Sequence, residues 1–352
     1  PSAATPPAPV AATAAPTPPA ATPAPVASST PAAPLGEPSR DRHETIDDNL
    51  KGQIDAALSA RLAQDGVQLA PYGALSEALA ALPAEACVWL DPRRCTLGLR
   101  QALPAGCKVH EAINPSTLAK SRKTALEAAH VREAMAEDGA AMCAFYADFE
   151  ARLQRGERLS ELDVDTLLSA ERAKRPGFVG LSFSTIAGWM ANGALPHYRA
   201  LPEAFSFIDG EGLLLIDSGG QYLGGTTDIT RVWAIGRPTP QQCADYTRVL
   251  KGTLALSRTV FPRGTLSPML DAIARAPLWE GGLDYGHGTG HGVGYFMNVH
   301  EGPQSISKAI PDAHMAMEPG MITSIEPGLY RPGQWGVRIE NLVLNVEQPT
   351  PE

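Results

Sequence analysis

Apolar positions recur at two periods along the chain, and the change of period divides it. Between residues 41 and 64, Ile46, Leu50, Ile54, Leu58 and Leu62 fall every four residues, which predicts one amphipathic helix. Shorter runs follow. Residues 67–70 and 87–90 read as strands and 75–82 as a helix, so 41–118 predicts a small α/β domain that is short of strands. From 121 to about 153 the chain is rich in Ala, Glu, Met and Leu and predicts a long helix, with a second over 161–174. Beyond that, glycines punctuate the apolar runs. Residues 213–216 and 229–234 predict buried strands, 241–261 and 267–279 helices, and 321–326 and 336–345 closing strands. Residues 119–352 thus predict one α+β domain with acids placed on its strands.

Residues 1–40 break this pattern. Twelve of the 32 prolines lie in the first 38 positions, and no charge precedes Glu37. Such a segment cannot bury a core and predicts a disordered, extended linker. It lacks the basic start and apolar stretch of a secretion signal. No apolar run approaches the roughly 18–20 residues of a membrane helix. A net charge of -9 without a basic tract argues against nucleic acid or an anionic membrane as partner. The five cysteines are irregularly spaced and form no C-x-x-C, which predicts reduced thiols in a cytoplasm.

The candidate chemistry lies in the C-terminal half. Asp217, Asp228, His291, Glu326 and Glu340 are four hard carboxylates and one imidazole. That is too many acids for one structural zinc and suits two divalent ions sharing bridging carboxylates. Asp217 ends the run Leu213-Leu-Leu-Ile-Asp-Ser-Gly219, and Asp228 follows in Gly225-Thr-Thr-Asp-Ile-Thr-Arg231. A hairpin of that length brings both acids together. Glu326 precedes Pro327-Gly328, and Glu340 lies in an alternating run where an Arg338–Glu340 pair on one face is the plain alternative. His287-Gly-Thr-Gly-His-Gly-Val-Gly294 is the strongest local motif; its glycines let backbone pass close to other groups.

Other chemistries fit less well. The motif does not match a G-x-G-x-x-G phosphate loop, no His-Glu pair extends to H-E-x-x-H, and Gly180-Leu-Ser-Phe-Ser184 fails the nucleophile-elbow pattern. An apolar pair followed by Asp217-Ser-Gly219 also matches an aspartic protease, but that site needs a second carboxylate of the same kind and the chain has none.

Together with Asn192-Gly-Ala-Leu-Pro-His197, Asn298-Val-His-Glu-Gly-Pro303, Ile325-Glu-Pro-Gly328 and Gly336-Val-Arg-Ile-Glu-Asn341, these stretches resemble the metallo-aminopeptidase family with the pita-bread (creatinase/aminopeptidase) fold. Within it the match is to the Xaa-Pro aminopeptidases, over about residues 117–345. The resemblance implies an α+β pita-bread catalytic domain at 119–352, truncated at its C-terminus. A partial, creatinase N-terminal-like domain at 41–118 precedes it, in place of the longer N-terminal part of larger members. It implies two divalent metal ions per chain, commonly manganese; the donors alone leave Mn, Co, Fe and Zn open.

By the same resemblance, Asp217 chelates the first ion, Asp228 and Glu340 bridge, and His291 and Glu326 hold the second. His197, His287, His300 and Arg338 face the substrate, and Glu326, His300 and His197 act in catalysis. The implied reaction is hydrolysis of the bond before proline at position 2 of a peptide, in the cytoplasm, with a homodimer allowed. Methionine aminopeptidase and prolidase are the alternatives within the class. A non-catalytic pita-bread binding module or an inactive fragment is the alternative outside it.

Overall fold

A computed structural model describes residues 54–350. The linker expected over 1–40 and the front of the helix expected from 41 lie outside those residues. The chain divides into two compact units, residues 1–81 and 82–352. In the first, helix α1 (Ala56–Gln64) starts at Asp55, whose carboxylate accepts from the Leu58 N–H. Helix α2 (Leu75–Ala80) follows a 3₁₀ turn. The strand expected at 67–70 does not form. Val67 and Leu69 alternate as a strand would, but they are exposed and no strand lies beside them among the described residues.

The second unit opens with β1 (Cys87–Leu90), α3 (Leu97–Gln101) and β2 (Lys108–Glu111), the two strands pairing in parallel. The long helix expected over 121–153 forms as one helix, starting four residues later, and a short helix precedes it. Asn114 caps α4 (Pro115–Ser121), and a capping box of Thr124 and Glu127 starts α5 (Ala125–Gln154) afresh. A second box, Ser160 with Asp163, starts α6 (Glu161–Ala173).

Strands β3 (Phe178–Leu181) and β4 (Ile186–Trp189) lead to the central strand β5 (Gly212–Ser218). The short β6 (Gly220–Tyr222) and β7 (Gly225–Thr226) precede β8 (Ile229–Ile235). Helix α7 (Pro240–Ser257) ends before the expected 261, and α8 (Asp271–Trp279) follows a 3₁₀ turn at Ser267–Leu270. The chain closes with β9 (Gly290–His291), β10 (Ser305–Ile306), β11 (Ile322–Ile325), β12 (Gly328–Arg331), β13 (Trp335–Arg338) and β14 (Asn341–Leu344). The single strand expected over 336–345 is therefore two. β13 pairs with β12 and β14 with β11, and Glu340 sits at the break between them.

All seven residues of β5 are buried, which explains its unbroken apolar run. Leu214 and Ile216 pack on Phe145 and Phe149 of α5 and on Val164 and Leu168 of α6. Leu213 points the other way, to Val249 of α7, Leu278 of α8 and Val337 of β13. Each such side chain contributes about 1.5–3 kcal/mol of burial, so the strand is fixed from both faces. Strand alternation then puts Asp217 on the face of Leu213 and Ser218 on the face of Leu214.

Candidate metal centre and its histidine rim

Strands β5 and β8 pair antiparallel with Asp217 opposite Thr230, so Asp228 arrives beside Asp217 just before β8 begins. The route is not the plain hairpin expected. Between the two acids the chain leaves the sheet: β6 pairs with β3 on one side and β7 on the other. Glu326 directly follows β11, and Glu340 lies between β13 and β14. Thus four strand ends deliver four carboxylates. His291 comes from β9, whose Gly290 lies against β11; a Cβ there would overlap the Ser324 carbonyl. A Cβ on Gly292 would likewise overlap the Glu301 carbonyl. The glycine spacing of the motif is a requirement of close strand approach.

The donors converge. Ligating atoms of Asp228, His291 and Glu340 all lie within 4.8 Å of one another. His291 Nε2 is 3.5 Å from Asp228 Oδ2 and 3.4 Å from Glu326 Oε1. Asp217 is buried; its Oδ2 accepts from Arg338 at 2.6 Å, while its Oδ1 has no hydrogen-bond partner. The alternative reading of Glu340, an ion pair with Arg338, is thus not made, because Glu340 has left the strand. Glu340 Oε2 accepts instead from Thr230 Oγ1 at 2.7 Å, and Arg338 Nε donates to the same hydroxyl at 3.3 Å.

Asp217, Asp228, His291, Glu326 and Glu340 line one cavity of about 410 Å³, together with His197, His287, His300 and Arg338. Phe183, Ile186 and Pro196 give it an apolar side. Sequence reasoning missed Thr230, Ser324 and Tyr330. The Ser324 hydroxyl accepts from the His291 N–H at 3.0 Å and donates to Glu326 at 3.2 Å. Tyr330 Oη accepts from Arg338 at 2.8 Å and shares a 2.7 Å hydrogen bond with His287 Nε2. Strand alternation of Gly328, Tyr330 and then Arg338 across the β12–β13 pair was the signal available for it.

The electrostatics follow from packing acids into this space. Burial raises the Asp228 pKa well above its usual value, and the charges of Asp217 and Glu326 raise it further. Burial, then Asp228, Glu326 and Asp217, do the same to Glu340. Burial pushes Glu326 up to about 7. Conversely, burial lowers His287 to about 4, with Arg338 and Arg275 adding to the effect. His300 is lowered by burial and then by His291. At neutral pH His287 and His300 are therefore neutral rings, each with one donor and one acceptor nitrogen.

Residues 129–347 match the profile of metallopeptidase family M24, and 46–127 match the creatinase/prolidase N-terminal domain. The chain belongs to metallopeptidase family M24, with the creatinase N-terminal and pita-bread architecture. It is 38% identical to a probable Xaa-Pro aminopeptidase P of Coprinopsis cinerea, over 85% of this chain and 50% of the relative. With one of Sclerotinia sclerotiorum it shares 42% identity, over 78% of this chain and 46% of the relative. The chain spans about half the length of the curated relatives it matches.

Among solved structures it is similar to the X-prolyl aminopeptidase of Caenorhabditis elegans, a cytosolic enzyme with a di-nuclear active site. The TM-score is 0.77 and the identity 31%, over 84% of this chain and 49% of that one. It is also similar to the Xaa-Pro dipeptidase of Bacillus anthracis, with TM-score 0.64 and 28% identity over 80% and 76%.

Proposed function

We propose that this chain is a dinuclear metallo-aminopeptidase that hydrolyses the N-terminal Xaa-Pro bond of peptides and releases the first residue. The observation that carries the reading is the convergence of three buried carboxylates, a half-buried fourth and one imidazole under a rim of three histidines. The donor set fits two divalent cations on three grounds. Hard oxygens dominate it. Asp217 Oδ1 is buried without a partner. Asp228, Glu326 and Glu340 are forced towards protonation by burial and by each other's charge, and cations in the same space would offset both.

Asp217 would hold one ion, His291 and Glu326 the other, and Asp228 and Glu340 would bridge; manganese is the choice we favour. When bound, the ions supply positive charge that polarises a peptide carbonyl and lowers the pKa of water towards ~7. The remaining work falls to the protein. Arg338 fixes Asp217 and, through Thr230, Glu340. His300 and His197 face the scissile carbonyl as hydrogen-bond donors to its developing negative charge, a contribution of about 3–4 kcal/mol for one well-placed donor. Glu326 carries the proton to the departing proline nitrogen. His287, held by Tyr330, and Arg338 line the substrate side.

An X-Pro bond lacks an N–H, so a peptidase that grips that donor fails on it. The apolar wall of Phe183, Ile186 and Pro196 supports a proline-accepting side. We keep the partition into a small domain at 41–118 and a catalytic domain at 119–352, a cytoplasmic location and a homodimer as parts of the same proposal. The unpaired cysteines agree with the location, and among the described residues no helix is long and apolar enough to cross a membrane. The test is release of free arginine from Arg-Pro-Pro after chelation and re-addition of Mn²⁺. Metal-restored release is expected. Cleavage of Xaa-Pro dipeptides but not the tripeptide would favour the dipeptidase alternative, and no cleavage of either by metal-loaded protein would overturn the proposal.

A further inference from the structure

A buried carboxylate without a cationic partner sits at the start of α6. Glu161 has no exposed surface, and none of the described ion pairs includes it. Its Oε1 accepts from the Trp189 N–H at 2.6 Å and the Asn192 amide at 3.0 Å. Its Oε2 accepts from the Ser206 N–H at 2.7 Å, the Tyr198 hydroxyl at 2.8 Å and the Asn192 amide at 3.1 Å. The Glu161 N–H in turn donates to the Ser206 carbonyl at 3.0 Å. One side chain therefore ties both ends of segment 189–206 and its middle. His197, next to Tyr198, stands in that middle and lines the cavity. Leu195 and Leu201 on either side of it are exposed, so no apolar core holds the tip.

We propose that Glu161 is the positioning residue for His197, fixing the loop that holds the imidazole over the cavity. The proposal rests on the reading of His197 as a substrate-facing residue. A buried carboxylate is costly unless its lone pairs are filled, and here both oxygens are filled by loop donors alone. The role requires an acceptor at both oxygen positions. A glutamine has nearly the same shape, but its NH₂ must face either the Trp189 or the Ser206 N–H, so Glu161→Gln unties one end of the loop.

The test uses the chain with Glu161→Gln, His197→Ala and the double variant. Arg199 is an exposed trypsin site within the loop, and Arg258, at the exposed end of α7, is a control outside it. In Glu161→Gln, tryptic cleavage after Arg199 is expected to rise at least fivefold, with cleavage after Arg258 unchanged. On Arg-Pro-Pro, Glu161→Gln and His197→Ala are expected to lower kcat/KM by similar factors, and the double variant by no more than either alone. Should Glu161→Gln not fold, Tyr198→Phe removes one of the loop donors and is expected to raise cleavage after Arg199 by a smaller factor. Unchanged cleavage after Arg199, an equal rise at both sites, or multiplying kinetic effects would overturn the proposal. If His197→Ala hydrolyses at the parent rate, the reading of His197 fails, while the ratio of cleavage at the two sites still decides whether Glu161 holds the loop.

Discussion

The floor of the cavity and its rim are held by different means. On the floor, Asp217, Asp228, Glu326 and Glu340 project from strand ends, and the ladders β5–β8, β11–β14 and β12–β13 set their positions. On the rim, His197, His287 and His300 project from loops, each tied back by a buried charged side chain from a helix or its start. Glu161 holds the His197 loop. Arg275 of α8 donates to the carbonyls of Tyr285 at 2.8 Å and His287 at 2.7 Å. Lys123, just ahead of α5, donates to the Val293 carbonyl at 2.6 Å and lies 3.6 Å from Glu301, next to His300. The groups proposed to hold ions are thus built into sheet hydrogen bonding, whereas the histidines proposed to meet substrate sit on loops that buried charged side chains tie back. A substitution can therefore loosen the rim and leave the floor intact.

The largest expected effect is on the floor. Glu340→Gln removes a carboxylate from between two proposed ion positions, and hydrolysis of Arg-Pro-Pro should fall about 10³-fold or more, equivalent to several kcal/mol. Steady-state kinetics with metal analysis checks this, and activity retained at parental metal content would contradict it.

On the rim, Arg275→Met leaves Asp271 buried without its 2.6 Å partner and two carbonyls without a donor. Breaking a buried pair of this kind should cost about 3–5 kcal/mol in urea denaturation. A loss under about 1 kcal/mol would mean that the loop is held otherwise. His300→Ala should lower kcat about 10²–10³-fold with metal content unchanged. Lost metal would instead place His300 in the floor.

The smallest effect concerns pH. Burial opposes the charge of Asp284, but Lys308 and Arg275 outweigh it and bring its pKa down to about 2. A lowered folded pKa stabilises the fold above the ordinary carboxylate range, and that stability is lost as pH falls from about 4 towards 2. The Asp284 side chain is 40% exposed, so its share is below about 1 kcal/mol. Asp284→Asn should flatten the melting-temperature profile between pH 4 and 2 and leave the rest parallel; an unchanged profile there would reject the assignment.

The floor was legible in the sequence because each of its carboxylates borders an apolar strand run, Asp217 at the end of 213–216 and Asp228 just before 229–234. The glycine spacing around His291 was legible for a related reason: strand contacts leave no room for a Cβ at Gly290 or Gly292. What the sequence did not reveal depends on distant partners. Arg338 alternates with Glu340 along the chain, but it pairs with Asp217, 121 positions away, because Glu340 falls in the break between β13 and β14. Nothing near Glu161 or Arg275 marks either as the anchor of a histidine loop, since the loop groups they tie, backbone ones among them, lie in other segments. The alternation at Val67 and Leu69 misled for the converse reason, a local pattern with no strand to receive it.

The measurement that tests the central claim most directly is calorimetric titration of the metal-free chain with Mn²⁺, with bound metal counted by elemental analysis. Two ions per chain, falling below two in Glu340→Gln, is the predicted result. A cooperatively folded chain that binds one ion or none would contradict it.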